Sequence, residues 1–388
     1  MTTVDAASFL VIVLCATGAA AFTAAVAGRL VVPVVVVELV LGIVVGPQVL
    51  EVAVVDHFTE FFANVGLGML FFFAGYEIEI DRIKGVALKL AGLGWVVSLV
   101  LAHVAALVLW LAGLVDAPVY VACAMSTTAI GTLLPILRDS GDLRSPFGTK
   151  LLAAGAVGEF GPIMLMTVFL STEAPAHQVA ILLAFVAVSL IVGYVAVRSA
   201  GRGWAVLDRT LHSSSQLAVR IVVVLVLALI ALAAEMGLDL LLGGFMAGLI
   251  FRQVVGEHQV EVLESKLTAV GYGFLIPFFF VVSGMKFDLD ALLGSATALL
   301  LLPLFLALFL IVRGLPAMVL YRRQLDGRAR RALALYTSTQ LPLVVAITAL
   351  AVDAGSMDPA TAASLVGAGI LSTLCFPVLA LRLRAAAA

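Results

Sequence analysis

Glu159 is the residue of this sequence whose type and setting most directly suggest chemistry. It lies in "AAGAVGEFGPIML" (153–165), and from Leu151 to Leu170 no other charge occurs. In a lipid-spanning segment a carboxylate costs at least a few kcal/mol, which makes it a functional-site candidate by default. Such a group can hold a proton or a cation near neutral pH. Either one neutralises it, so the two compete for a single negative charge. Oxygen chemistry recurs in two further places. Ser126, Thr127 and Thr128 sit in "CAMSTTAIGTLLPIL" (123–137), followed by Pro135; Thr337, Ser338, Thr339 and Gln340 sit in "LYTSTQLPLVVAI" (335–347), followed by Pro342. Hard oxygen ligands of this kind favour Na⁺, Li⁺ or K⁺ over soft metals. The simpler reading is that each hydroxyl bonds the carbonyl one turn back on its own helix.

The elements that must position these groups are membrane helices. The 388 residues are 63% hydrophobic and 12% charged, against about 25% charged in soluble proteins. Thirteen apolar segments occur between residues 6 and 383, many of about 20 residues, enough to cross a hydrocarbon core of about 30 Å. Among them, 117–138 carries the first hydroxyl cluster, 148–171 carries Glu159, and 330–353 carries the second cluster. Alternate loops concentrate Lys and Arg, as in Arg138, Arg144 and Lys150, or Arg322, Arg323, Arg328, Arg330 and Arg331. By the positive-inside rule the N-terminus faces out and the C-terminus faces the cytoplasm. The expectation is a single multi-pass domain, residues 1–388, in a plasma membrane, a bacterial inner membrane if the source is bacterial. The net charge of −2 says little about partners; with no basic patch and no nucleic-acid motif, a nucleic-acid partner is not expected. The three cysteines have neither metal nor disulfide spacing.

Two pairs of stretches repeat. "VGLGMLFFFAGYEIEID" (65–81) aligns with "VGYGFLIPFFFVVSGMKFDLD" (270–290), and the two hydroxyl clusters align at nearly the same offset. An offset spanning seven segments reverses the second copy. The expected architecture is all-α: repeat one over 6–171, a connector helix over 177–199, and an inverted repeat two over 215–383. Inverted repeats with helices interrupted at matching positions mark secondary transporters. Proline lacks a backbone donor and disfavours helix just before it, so each cluster is expected to lie where a helix unwinds.

Five motifs in order, "VPVVVVELVLGIVVGP" (32–47), "GLGMLFFFAGYEIE" (66–79), "STTAIGTLLPIL" (126–137), "GLDLLLGGFMAGLI" (237–250) and "FLIPFFFVVSGMKFDL" (274–289), make the chain resemble the Kef/Nap-type monovalent cation:proton antiporters. The resemblance covers nearly the whole chain. It implies the sodium/proton-antiporter-like fold with crossed broken helices. It also implies a homodimer, with a dimerisation part from helices 1–3 and 8–10 and a moving core from helices 4–6 and 11–13. Glu159 takes the position of the family's essential carboxylate, one methylene longer than the usual Asp. Gly158 stands where relatives often place an acid or an amide. Ser126, Thr127, Thr128 and Gly158 would join Glu159 in holding cation or proton, and Ser338, Thr339 and Gln340 would belong to the second break. Arg313, in "LFLIVRGLPAM", fits a basic position of the eleventh segment. An arginine keeps its proton at any relevant pH, so it would be a fixed counter-ion to Glu159; the rival reading pairs it with a carbonyl or with the second break.

The implied activity is exchange of Na⁺, Li⁺ or K⁺ for protons by alternating access, electroneutral because one acidic carrier is present, and serving pH homeostasis. No cofactor is expected beyond the transported ions, and Glu159 is the charged ligand expected for the monovalent cation. A Kef-like gated potassium efflux channel is the alternative, and a transport-silent scaffold or sensor the third reading. No nucleophile–base set, metal motif or cofactor fingerprint points to an enzyme. Glu38 could line a gate or serve a helix contact, and His103 could be a packed histidine or a pH sensor. The phenylalanine runs 71–73 and 278–280 read as packing or lipid-facing residues. Gly42 with Gly46 and Gly244 with Gly248 permit close helix approach, between copies or within one.

Overall fold

In a lipid environment every backbone N–H and C=O must find its partner within the protein, and a helix does this along its own length. The computed structural model of the chain describes residues 5–26, 32–78, 83–169, 175–211, 216–254 and 260–385; helices account for most of these, and no strand occurs among them. Among the described residues, ten helical spans are long and apolar enough to cross a membrane, and three shorter apolar stretches, Val34–Val45, Pro118–Leu134 and Leu240–Gln253, lie between them. The chain is an all-α, multi-pass membrane protein. The helix that starts at Pro175 runs to Leu211, past the expected end at 199: Gly201 and Gly203 lower helix propensity without breaking the ladder of hydrogen bonds. The expected repeat ends at 171 and 215 lie outside the described residues, as do Arg29, Arg82 and Glu173.

Short polar residues fix where helices begin. The carboxylate of Asp56 accepts the Thr59 N–H, and the Thr59 hydroxyl accepts the Asp56 N–H in return, a reciprocal cap on His57–Tyr76. Asp326 accepts from the Ala329 N–H at 2.6 Å to start Gly327–Thr337. Proline occupies the first turn of Pro118–Met125 and of Pro342–Asp353, where a missing N–H costs nothing.

The described chain divides into two units. One comprises Met1–Ala16, Val55–Glu79 and Ile163–Val282. In it, His57–Tyr76 and Leu240–Val254 approach until backbones touch: a β-carbon on Gly244 would overlap the Gly68 carbonyl, and one on Gly248 the Phe72 carbonyl. The close approach sought from the glycine spacing is therefore made within the chain at Gly244 and Gly248. Phe71, Phe72 and Phe73 are buried, as are Phe278, Phe279 and Phe280. Phe278 joins an aromatic cluster with Phe9, Phe62 and Phe274.

The other unit comprises Thr17–Val54, Ile80–Pro162 and Ser283–Ala388. It holds both interrupted helices. The first consists of Pro118–Met125 and Ile130–Asp139 with a non-helical stretch at 126–129; the second consists of Gly327–Thr337 and Pro342–Asp353 with a stretch at 338–341. Pro342 explains the second break, since it cannot donate and it pushes Leu341 out of the helical region, to φ −153°. Pro135 does not explain the first, because it falls inside the restarted helix Ile130–Asp139. The helix Ala296–Phe309 passes into a wide π-type turn, Leu310–Gly314, which carries Arg313. Pro316 follows it. Having no N–H, it leaves the Val312 carbonyl without the donor an α-helix would supply.

Candidate functional site

The interruptions are held by their own side chains and by each other. Ser126 and Thr127 turn their hydroxyls back onto the Cys123 and Ala124 carbonyls, at 2.8 and 2.9 Å. Ser338 and Thr339 do the same to Ala334 and Leu335, at 2.7 and 3.2 Å. For these four residues the simple reading of a membrane hydroxyl applies. Thr127 adds a longer bond, 3.3 Å, to Gln340 Oε1.

Thr128 does something different. Its hydroxyl donates across the crossing to the Thr337 carbonyl at 2.7 Å, and its lone pairs accept from Arg313 Nε at 2.9 Å and Nη2 at 2.6 Å. The backbone joins the two breaks directly: the Ala129 N–H donates to the Thr339 carbonyl at 2.8 Å, and the Thr128 N–H to the Gly158 carbonyl at 3.1 Å. Gln340 acts as a latch. Its side-chain amide donates to the Met125 carbonyl, while Ser372 accepts from the Gln340 N–H and donates to the Gln340 carbonyl. Carbonyls freed by unwinding at Met125, Thr337, Thr339 and Gln340 thus already have donors.

Glu159 is the exception. Its Oε1 accepts the N–H of Ile130 at 2.8 Å and, more weakly, that of Gly131 at 3.4 Å. The carboxylate therefore caps the restarted half-helix, whose N-terminus carries a partial positive charge. Its Oε2 is shielded from solvent and has no hydrogen-bond partner among the described residues. The whole side chain is 5% exposed. Among the described residues, no group of three or more His, Cys, Asp or Glu forms a metal cluster, so the acceptor capacity left here belongs to one carboxylate oxygen.

Arg313 does not pair with Glu159. Besides Thr128, its guanidinium donates to the Ala154 carbonyl at 3.2 Å and to Ser98 Oγ at 3.3 Å, and among the described residues it forms no ion pair. The pairing with a carbonyl, the rival reading of this arginine, matches its position. Gly158 is what gives it room. A β-carbon at 158 would lie 2.5 Å from Arg313 Nη2 and 2.8 Å from Thr128 Oγ1. Arg313 and Glu159 thus flank the same backbone turn with no ion pair between them.

Sequence reasoning did not identify Ser98, the Ala154 carbonyl or Ser372. Ser98 carried a faint signal, being the lone hydroxyl in the apolar run "GWVVSLVLAHV". His103 lies elsewhere, exposed, with Nδ1 2.8 Å from its own helix at Leu99 O. Glu38 is buried within Val34–Val45.

An all-helical, multi-pass architecture with interrupted helices agrees with what comparison of the chain reveals. The family model described as sodium/hydrogen exchanger, transmembrane, matches residues 16–381. The chain belongs to this exchanger family. A Bacillus subtilis member, YjbQ, is 25% identical over 368 residues, covering 90% of this chain and 59% of that protein, so the chain spans about three fifths of that relative's length. GerN of Bacillus cereus, named a Na⁺/H⁺-K⁺ antiporter, is 25% identical over 268 residues, 67% of each chain. Among solved structures, the sodium proton antiporter MjNhaP1 of Methanocaldococcus jannaschii, at pH 8, superposes with a TM-score of 0.65 over 97% of this chain and 98% of that one, at 14% identity. At that identity the likeness establishes the shared fold of this exchanger-family chain and nothing finer.

Proposed function

We propose that the chain exchanges a monovalent cation, Na⁺, Li⁺ or K⁺, for protons by alternating access, with Glu159 as the group that holds each in turn. One observation carries this reading: the buried carboxylate that caps the restarted half-helix through Oε1 and leaves Oε2 without a partner. Bound proton and bound cation each neutralise it. Movement of the site across the bilayer with the carboxylate bare would bring an uncompensated charge into low dielectric, which is costly. Exchange is then obligatory, because only the loaded forms cross. With one titratable carboxylate at the break and with Arg313 permanently charged, one proton leaves for each cation that enters, and no net charge moves. The names of the relatives support Na⁺ and K⁺ as the cations to try first. A homodimer, with its contact surface in helices 1–3 and 8–10, is part of the same proposal.

Reconstituted vesicles given a pH gradient test it. Addition of Na⁺, Li⁺ or K⁺ collapses the gradient in the wild type, clamping the membrane voltage leaves the rate unchanged, and Glu159→Gln abolishes the response. Cation current without proton movement would instead identify a channel, and no movement of either ion would leave only a scaffold.

A further inference from the structure

Gly155 lies one turn before Glu159 on the helix Pro146–Phe169. Residues so spaced share a helix face, and a helical side chain leans back over the turn that precedes it. The Glu159 side chain is therefore directed over the surface at Gly155, and Ile130 is packed there. A β-carbon at 155 would lie 2.6 Å from Ile130 Cδ1 and 2.8 Å from its Cβ and Cγ1. Ile130 opens the restarted half-helix Ile130–Asp139. Its side chain fills the space a side chain at 155 would need, while its N–H reaches Glu159 Oε1 at 2.8 Å. Ile130 is buried, so nothing nearby is open to receive it if it is displaced. Glycine inside a helix is destabilising relative to alanine, and Gly155 has no positive φ to require it. Contact with Ile130 accounts for the missing β-carbon. The Ile130 N–H also has a local acceptor, the Thr128 carbonyl at 3.2 Å. Pushed outward, it keeps that partner, and the loss falls on Glu159.

We propose that Gly155 and Ile130 form a seat that positions the Glu159 carboxylate, the absent β-carbon bringing the half-helix within reach of Oε1 and the resulting tether fixing where Oε2 points. Both are positioning residues; Glu159 alone holds the ion. The use made of Oε2 rests on the transport reading, whereas the seat itself does not. The terminal torsion of a glutamate is broad. Released from Ile130, the carboxylate turns about that bond, and an arriving cation must then bear the cost of ordering it. Loss of preorganisation of this kind weakens binding. It leaves the movement of the loaded form untouched.

The test uses the full chain in vesicles carrying a pH gradient, with Na⁺, Li⁺ or K⁺ added. Gly155→Ala raises the apparent KM for the cation by about tenfold, as loss of a hydrogen bond to a charged group would, and leaves the maximal rate nearly unchanged. Adding Ile130→Gly exchanges the side chains across the contact, keeps the N–H, and returns KM toward the wild-type value. Gly92→Ala, at a helical glycine whose added carbon would meet nothing within 4 Å, leaves KM unchanged. A merely structural role would lower the folded amount and the maximal rate without moving KM. A second measurement needs no transport. In acidic buffer the infrared C=O stretch of protonated Glu159, isolated by subtracting the spectrum of Glu159→Gln, moves to higher frequency in Gly155→Ala and returns in the double variant. If Gly155→Ala does not fold, Ile130→Ala empties the seat with the N–H retained and shifts KM and the band in the same directions. Exchange that survives Glu159→Gln would refute the transport reading and leave the infrared band to decide the seat. Exchange abolished by Glu159→Gln, with KM and the band both unmoved by Gly155→Ala, would overturn this proposal alone.

Discussion

Replacing Gly158 by Ala sets two effects of opposite sign against each other. Within a helix, Gly to Ala ordinarily stabilises by about 1 kcal/mol. Here the new methyl would lie 2.5 Å from Arg313 Nη2 and 2.8–2.9 Å from Thr128 Oγ1 and Cβ. Forcing a methyl into a filled site costs about 1–3 kcal/mol. Expelling the guanidinium also weakens its bonds to Thr128, and a hydrogen bond from a charged group is worth about 1.5–3 kcal/mol. The clash wins, with a net loss of about 2–4 kcal/mol. The decisive measurement is a double-mutant cycle. In an Arg313→Ala background the nearest obstacle is gone while Thr128 Oγ1 and Cβ stay 2.8–2.9 Å away, so Gly158→Ala should still destabilise, but by less than in the wild type. Midpoints of thermal and denaturant unfolding in detergent, for all four proteins, give a coupling energy of at least about 1 kcal/mol, as for residues in direct contact. An equal cost of Gly158→Ala in both backgrounds would refute the placement of Arg313 against position 158.

Other consequences follow from the same geometry. Thr128→Val should lower the unfolding midpoint and transport far more than Ser126→Ala, because Thr128 bridges Arg313 and Thr337 whereas Ser126 bonds only its own helix; equal effects would remove Thr128 from its bridging role. Competition for Glu159 requires the apparent KM for the cation to fall as pH rises, by up to about tenfold per pH unit where the carboxylate is mostly protonated, with little change in maximal rate; a KM independent of pH would separate the two ions. Outside the membrane segments, the Asp56 carboxyl is held below the usual carboxylate range by the Thr59 backbone N–H, then by the Asp5 N–H. A lowered folded value stabilises above the unfolded value of about 3.9 and is lost as pH falls through the folded one. Asp56→Ala should therefore cost about 1 kcal/mol at neutral pH and progressively less below about pH 4, as read from unfolding midpoints across that range.

Much of this was legible from residue order. Apolar runs of about 20 residues specify spans, and the lone carboxylate in 151–170 announced itself because lipid tolerates so few. The hydroxyl clusters marked both interruptions. What the sequence left open were the pairings. The direction of Arg313 depends on the π-type turn at Leu310–Gly314 and on a glycine 155 positions earlier in the chain, at 158. Neither is visible in local pattern. Proline marked the second break for a local reason, but the first is set by Glu159 capping Ile130 from another helix, a bond spanning 29 residues. Ser372 escaped notice because a serine in an apolar helix most often bonds its own turn, and here it also reaches Gln340.

The bonds that close the crossing also fix when it can exist. A polypeptide is made and inserted from its N-terminal side onward, so the Ala129 N–H waits for Thr339, and the Gln340 N–H for Ser372. Until then the emerging chain holds unfilled amide groups at membrane depth. They must be sheltered by the insertion machinery or remain coiled as ordinary helix. The crossing therefore closes only once both interrupted helices and Ser372 have been made, and a message truncated before codon 372 would yield a product whose second interruption is unfinished.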